Sequence, residues 1–320
     1  MPPGNQLVNT SRRIRPPREP YLASGVFMDT LVSIEIAAPP AGDLCRKATS
    51  RAFGWFREVE QRCSRFDPDS ELASLSRTAG VAIPVSDLLF RAIEFALAVA
   101  QESDGAFDPT VGRTLERHGF DRNYRTGERI VRDPAPLPDA TYRDVVLDPT
   151  ARTVTLLRPL VLDLGAVAKG LAIDLAVESL HDFHDYAIYA GGDMYLAGRN
   201  SEGAPWQVGI RHPRLPETLI ETLSVSGAAV CTSGDYERVR PDGEGGHHIV
   251  EPATGGSAHG AASVTVVAPT AMLADALATA AFVVGPERGI GLLERSRVEG
   301  MIVTPSLTVT ETAGFARHRG

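Results

Sequence analysis

Ala271-Met-Leu-Ala-Asp-Ala-Leu-Ala-Thr-Ala-Ala-Phe-Val-Val-Gly285 is the stretch on which the fold turns. Over about 271–283 it is rich in alanine and leucine and apolar almost all round, which predicts a buried helix. Asp275 is its only charge. A buried carboxylate is costly unless it is paired or holds a cation. Thr279 lies four residues on, so the two share a face. Carboxylate, hydroxyl and carbonyl oxygens suit a hard cation such as Mg²⁺. An aspartate paired with a distant arginine, with Thr279 bonded to its own helix, explains the same residues.

Short strands and further helices surround this helix. Strands are expected near 186–190, 194–197, 206–210, 219–225 and 263–268, and a closing hairpin over 300–304 and 306–311. A helix runs from about Gly165 to Leu180, after short strands at 153–157 and 160–164. Residues 121–144, rich in Arg, Asp and Pro, read as a solvent-facing insertion. Ser86 caps a helix from Asp87 to about Glu102, with Leu89, Ala92, Ile93, Ala96, Val99 and Ala100 inward. Residues 44–63 form another, with Leu44, Ala48, Ala52, Trp55, Phe56, Val59 and Cys63 on one face. Residues 26–37 alternate from Leu31 on and read as a strand. No repeat or linker stands out. The expected class is α+β: mixed sheets flanked by helices, in one unit over 21–320 with room for two lobes, after a flexible tail over 1–20.

Composition narrows the function classes. The 320 residues are 43% hydrophobic and 22% charged, which is a globular balance, and the net charge of −8 disfavours a strongly basic nucleic-acid binder. No apolar run approaches the roughly 20 residues of a membrane span. Three cysteines, Cys45, Cys63 and Cys231, make no disulfide framework, and no Cys-x-x-Cys pair offers a zinc site. Arg12-Arg13 is followed by Pro16-Pro17 rather than an apolar run, and no lipid-anchor cysteine follows an apolar stretch. A cytoplasmic chain is therefore expected.

A second segment carries charge chemistry. In Val161-Leu-Asp-Leu-Gly-Ala-Val-Ala-Lys-Gly170 a strand bearing Asp163 is expected to turn through Gly165 into the helix bearing Lys169. Free N–H groups at a helix start favour an anion, and Lys169 adds positive charge. A helix cap with a surface lysine reads equally well. Gly105-Ala-Phe-Asp-Pro-Thr-Val-Gly112 is a punctuated turn, and Ala190-Gly-Gly-Asp193 joins two apolar strands. His247-His248 precedes the turn Glu251-Pro-Ala-Thr-Gly255 and lacks a third zinc ligand at a usual spacing. Cys231 sits in an apolar run, unlike a reactive thiol.

Taken in order, these segments resemble the ApbE family of FAD:protein FMN transferases. The matching pieces are Met28-Asp-Thr30, Ser64-Arg-Phe-Asp-Pro-Asp-Ser-Glu-Leu72, Gly105 to Gly112 and Asp163 to Gly170. Ala190 to Asp193, Thr232-Ser-Gly-Asp-Tyr-Glu-Arg238, His248 to Gly255 and Ala274-Asp-Ala-Leu-Ala-Thr279 complete the set. The resemblance implies that FAD is split at its diphosphate. FMN is joined to a threonine or serine hydroxyl of an acceptor protein, and AMP leaves, with Mg²⁺ on the diphosphate. It implies that Ala166, Asp275, Ala278 and Thr279 are metal ligands, the alanines through their carbonyls. It implies FAD contacts from Met28, Phe66, Ala106, Phe107, Asp108, Asp163, Lys169 and Ile249. It puts Asp275, Lys169 and His248 in the chemistry, His248 as acid/base or phosphate contact. Four positions depart from the common family pattern: Asp29 where glycine is frequent, Glu251 where aspartate is usual, and Ala166-Val167 where Gly-Ile is common. An FAD diphosphatase, with water attacking at the same metal site, and a flavin-binding protein without transfer activity are the competing readings.

Overall fold

The structure, a computed structural model, describes residues 19–40, 42–130, 140–240 and 245–320. Met28 and Asp29 both adopt left-handed backbone, with φ of 51° and 62°. That turn divides the single strand expected over 26–37 into a hairpin, β1 (Tyr21–Phe27) and β2 (Thr30–Ile36). Left-handed pairs at two-residue turns usually carry Asn or Gly, so Met-Asp gave no turn signal.

The chain continues through α1 (Leu44–Cys63), α2 (Glu71–Leu75), β3 (Ala82–Pro84), α3 (Asp87–Glu102) and α4 (Gly112–Arg117). Next come β4 (Val145–Asp148), β5 (Thr153–Leu156), α5 (Gly165–Ser179), β6 (Tyr186–Ala190) and β7 (Asp193–Ala197). Then follow β8 (Trp206–Arg211), β9 (Leu219–Val225), β10 (Ala228–Gly234) and β11 (Ser263–Ala268). The last elements are α6 (Ala271–Arg295), β12 (Glu299–Val303) and β13 (Val309–Glu311). Eight strands form one antiparallel sheet in the order β1-β2-β6-β7-β10-β11-β12-β13.

The sheet is buried on both faces except at the β1–β2 edge, where Leu22, Val26 and Leu31 are exposed. Val32, Ile34, Ile36, Ile188, Cys231, Val264 and Val266 face a layer of α1, α3, α5 and α6. Ala187, Leu196, Val230, Val267, Met301 and Val303 face the β8–β9 ribbon and Phe315. Every residue of β11 is buried, which is why 263–268 reads as an unbroken apolar run rather than an alternation. Both layers pack on one shared sheet, so the chain forms a single α+β unit and the allowance for two lobes is not used.

Several sequence expectations shift. Residues 160–164 are not a strand: Val161 O accepts from Gly112 N and Asp163 N donates to Pro109 O, so this segment pairs with the 105–112 loop. β5 (Thr153–Leu156) pairs instead with β4 and β3. β4 lies close behind the Arg/Asp/Pro-rich segment, where no strand was expected. Of that segment, 131–139 lie outside the described residues, as do 1–18 of the expected tail. Leu44, expected inward, is 41% exposed. The alanine-rich helix does not stop at 283. Gly285 breaks it (φ 77°, ψ −179°) and Pro286 starts a second segment that runs to Arg295. Among the described residues α6 alone is long and apolar enough to cross a membrane, but its faces are covered by α5 and by β10 to β12.

α5 and α6 touch backbone to backbone. A Cβ on Gly170 would lie 2.4 Å from Met272 Cα and 2.6 Å from the Ala271 carbonyl carbon. One turn on, the Asp174 carboxylate accepts from Ala271 N (2.7 Å) and Met272 N (3.0 Å). It thereby satisfies two of the free N–H groups at the start of α6 and complements its dipole. This crossing sets the distance between the residues of α5 and α6 that carry charge.

Candidate active site

Lys169 on α5 donates to Asp193 Oδ2 at the start of β7, and its ammonium lies 4.0 Å from Asp275 Oδ2 on α6. The Asp193 and Asp275 side chains are 1% and 9% exposed. Burial alone would lower the Lys169 pKa, but the two carboxylates hold it above its ordinary value, so the ammonium stays charged. Lys169 is therefore not the surface lysine that a plain helix cap would allow. Among the described residues Asp275 is ion-paired with Lys169, with the Arg238 charge adding a weaker pull. Burial, then the Asp193 carboxylate, push the Asp275 carboxyl well up, against the pull of Lys169.

Asp275 Oδ2 is buried and has no hydrogen-bond partner among the described residues. Such an orphaned acceptor costs free energy as it stands and is where a cation gains most. Thr279, one turn on, shares a hydrogen bond with Ser233 Oγ of β10 at 3.2 Å. Ala278 lies beside it on the buried side of α6, and Ala166 lies one turn before Lys169 on α5. Among the described residues no group of three His, Cys, Asp or Glu side chains forms a metal cluster. The fit is instead to an oxygen set of one carboxylate, one hydroxyl and main-chain carbonyls, which is hard-cation chemistry.

Of the other expected site residues, the Met28 turn lies near Asp193 and Asp163 stands at the start of α5. The Met28 turn packs on the Gly191-Gly192 turn through Thr30, beside Asp193. Met28, Phe66, Ala106 and Ala166 are half-buried, and Phe107 and Ile249 are buried. Asp163, just before α5 rather than on a strand, accepts from Gly165 N at 2.8 Å and from Arg65 Nε. Its burial would raise its pKa, but the Arg65 guanidinium and these hydrogen bonds hold the carboxylate below the ordinary range. Asp108 is fully engaged within its own region. Oδ1 accepts from Thr110 N (2.8 Å) and Thr110 Oγ1 (2.7 Å), and Oδ2 from Tyr142 N (3.0 Å). Its side chain shapes the 105–112 loop. Cys231 is buried with its thiol pushed well up by desolvation, in line with an inert cysteine.

The two histidines differ. His247 Nε2 bonds Ala258 O (2.8 Å) and its Nδ1 accepts from Ile249 N (3.2 Å), which shapes the loop. His248 Nδ1 is buried without a hydrogen-bond partner among the described residues, and Phe120 meets the ring edge-on with centroids 6.3 Å apart. Burial, then the Arg238 charge, depress His248 to about 3. The folded chain thus keeps this imidazole neutral, while the unfolded chain protonates it near pH 6.5. Its stabilisation is full above about pH 6.5 and is lost as pH falls toward about 3. Between pH 6.5 and 5, urea unfolding of the wild type is expected to lose about 2 kcal/mol more than that of His248→Gln. Equal losses in the two would refute the buried neutral state. An open polar cleft lined by Thr114, Arg117, His118 and the Pro252–Gly255 turn adjoins this segment.

Two site residues escaped the sequence reading. Asp193 and Arg65 both lie inside matching motifs, Ala190–Asp193 and Ser64–Leu72, without a role of their own in the sequence. Each is buried and charged, but the partner that gives it meaning lies 24 residues away for Asp193 and 98 for Arg65.

Comparison with known proteins shows the family. The model of the ApbE family matches residues 28–302. The FAD:protein FMN transferase of Treponema pallidum is 33% identical over 322 residues, covering 92% of this chain and 87% of that protein. The Vibrio cholerae FAD:protein FMN transferase is 27% identical, covering 90% and 88%. Among solved structures, the ApbE protein of Thermotoga maritima matches with a TM-score of 0.83 at 30% identity, covering 94% of this chain and 99% of that one. The flavin transferase ApbE of Vibrio cholerae matches with a TM-score of 0.81 at 26% identity, covering 94% and 99%.

Proposed function

The chain belongs to the ApbE family, and on that premise we propose that it is an FAD:protein FMN transferase that works with Mg²⁺. The observation that carries the reading is Asp275 Oδ2, buried, orphaned and set 4.0 Å from the Lys169 ammonium. Storing a flavin does not need a buried carboxylate with an unused oxygen.

Ala166, Asp275, Ala278 and Thr279 would hold the cation, which supplies charge neutralisation and polarisation of the phosphoryl oxygens. Met28, Phe66, Ala106, Phe107, Asp163 and Ile249 bind FAD, with Asp108 holding the 105–112 loop in shape. Lys169, fixed by Asp193, offsets negative charge on the diphosphate. The acceptor's threonine or serine oxygen attacks the FMN phosphorus, the bond to the bridging oxygen breaks, and AMP leaves with that oxygen. The hydroxyl proton must go to a nearby base. His248, neutral and with Nδ1 unpartnered among the described residues, is the base assigned to take it as the diphosphate's charge raises its proton affinity.

An enzyme built for transfer excludes water until the acceptor hydroxyl arrives. AMP release from FAD, followed by chromatography, is expected to rise at least about tenfold when a competent acceptor is added, because the nucleophile is then positioned. An acceptor whose threonine is changed to valine should return the rate to baseline. Fast release that ignores the acceptor would instead make the chain an FAD diphosphatase.

A further inference from the structure

We propose that Arg65 is a positioning residue that locks the flavin side of the site into one piece. It ties its own neighbour Phe66 to two distant segments, 116–120 and the start of α5. Nε donates to Asp163 Oδ2, Nη2 donates to Phe120 O at 2.8 Å, and the guanidinium carbon lies 4.0 Å from the centre of the Phe66 ring. Glu116 of α4 adds a carboxylate 3.9 Å from Nη1. The Arg65 side chain is 4% exposed, so it acts on ligand through what it holds rather than by contact.

The geometry explains why an arginine stands here. A planar fork can bond a carboxylate and a carbonyl while its flat face stacks on a ring; an ammonium can do only the first well. Asp163 is held at both oxygens, by Arg65 and by Gly165 N at the start of α5, which leaves the carboxylate one orientation. Phe66 is held against the guanidinium. Phe120, tied by its carbonyl, carries the ring that meets His248. One side chain therefore sets the relative places of Asp163, Phe66 and the support for His248.

The inference rests on the reading of Asp163 and Phe66 as FAD contacts, and the test separates the two. FAD affinity of the full chain is measured by quenching of flavin fluorescence, with KM for FAD and kcat in parallel, for Arg65→Gln, Arg65→Lys, Asp163→Asn and the double variant Arg65→Gln/Asp163→Asn. Arg65→Gln is expected to weaken FAD binding about tenfold or more, as loss of a buried charge-assisted bond implies, with KM rising more than kcat falls. Arg65→Lys, which restores the ion pair without the fork, should recover part of that loss. The double variant should bind no more weakly than Asp163→Asn within about twofold, because residues acting through one another are not additive. Additive losses, or wild-type affinity in both Arg65 variants while Asp163→Asn is weakened, would overturn the proposal. If Arg65→Gln does not fold, Arg65→Lys decides in the same way: wild-type affinity and KM overturn it. Wild-type affinity in Asp163→Asn would instead remove Asp163 as an FAD contact, and with it this route for Arg65.

Discussion

Asp275→Asn is expected to lower acceptor-dependent AMP release at least about 10²–10³-fold, the scale on which preorganised electrostatic groups act. The same variant should melt no lower than the wild type when Mg²⁺ is absent. Both expectations come from one fact. The Asp275 carboxylate is buried near Asp193, its Oδ2 accepts no hydrogen bond among the described residues, and its proton affinity is raised by that setting. As a buried anion it is a cost to the fold; the amide has nearly the same shape and no charge. As a ligand it supplies the only formal charge in the proposed oxygen set, which the amide cannot replace. Thermal melts with and without Mg²⁺, beside chromatographic AMP assays, read both sides. The wild type should gain stability with the cation and the variant should not. Retained turnover in the variant would remove Asp275 from the chemistry. A large drop in melting temperature without Mg²⁺ would mean that its role is structural.

Gly170→Ala is expected to destabilise the chain by about 1–3 kcal/mol or more, the usual cost of overpacking, and to weaken catalysis with it. The added methyl group would meet Met272 Cα at 2.4 Å and the Ala271 carbonyl carbon at 2.6 Å, and backbone atoms cannot swing aside. α5 and α6 must separate, which moves Lys169 and Ala166 away from Asp275 and Thr279. The control is the same substitution at Gly54, inside α1, where an added Cβ meets nothing within 4 Å. Gly54→Ala should stabilise by about 0.5–1 kcal/mol through helix propensity alone, with activity unchanged. Chemical denaturation of the two variants reads opposite signs. A Gly170→Ala chain as stable as the wild type would contradict the close crossing.

What the sequence revealed, and what it hid, follows from the range of the interactions. Asp275 stood out because one charge in an apolar helix needs an explanation whatever surrounds it. β9 and β11 were placed to the residue because their runs are long and cleanly bounded. β3 (Ala82–Pro84) and β4 hold only three and four residues, too few for a period to show, whereas β5 falls within the strand expected over 153–157. The second half of α6 was lost behind Gly285-Pro286, which reads as a stop and acts as a break followed by a new start. The β1–β2 turn was invisible because Met28 and Asp29 hold left-handed backbone without glycine. Asp193 and Arg65 lie inside matching motifs, but nothing local marks either as charged and buried. Their chemistry lies in pairings made by the folded chain, which no spacing records. The family resemblance supplied the motifs but not these partners.

The order of strands in the sheet also dictates when the site comes into being during synthesis. β2 pairs with β6, so Val32 must wait for Ala190. β10 returns to β7, and α6 then comes to lie against α5. A nascent chain that has left the ribosome as far as α5 carries Phe66, Asp163 and Lys169 but neither the lysine's carboxylate partners nor His248. Such non-local closure is slow compared with helix formation. Capture of the dinucleotide is therefore among the last events in the life of a new chain. A truncated product ending before α6 would fail to retain FAD, however well its first helices form.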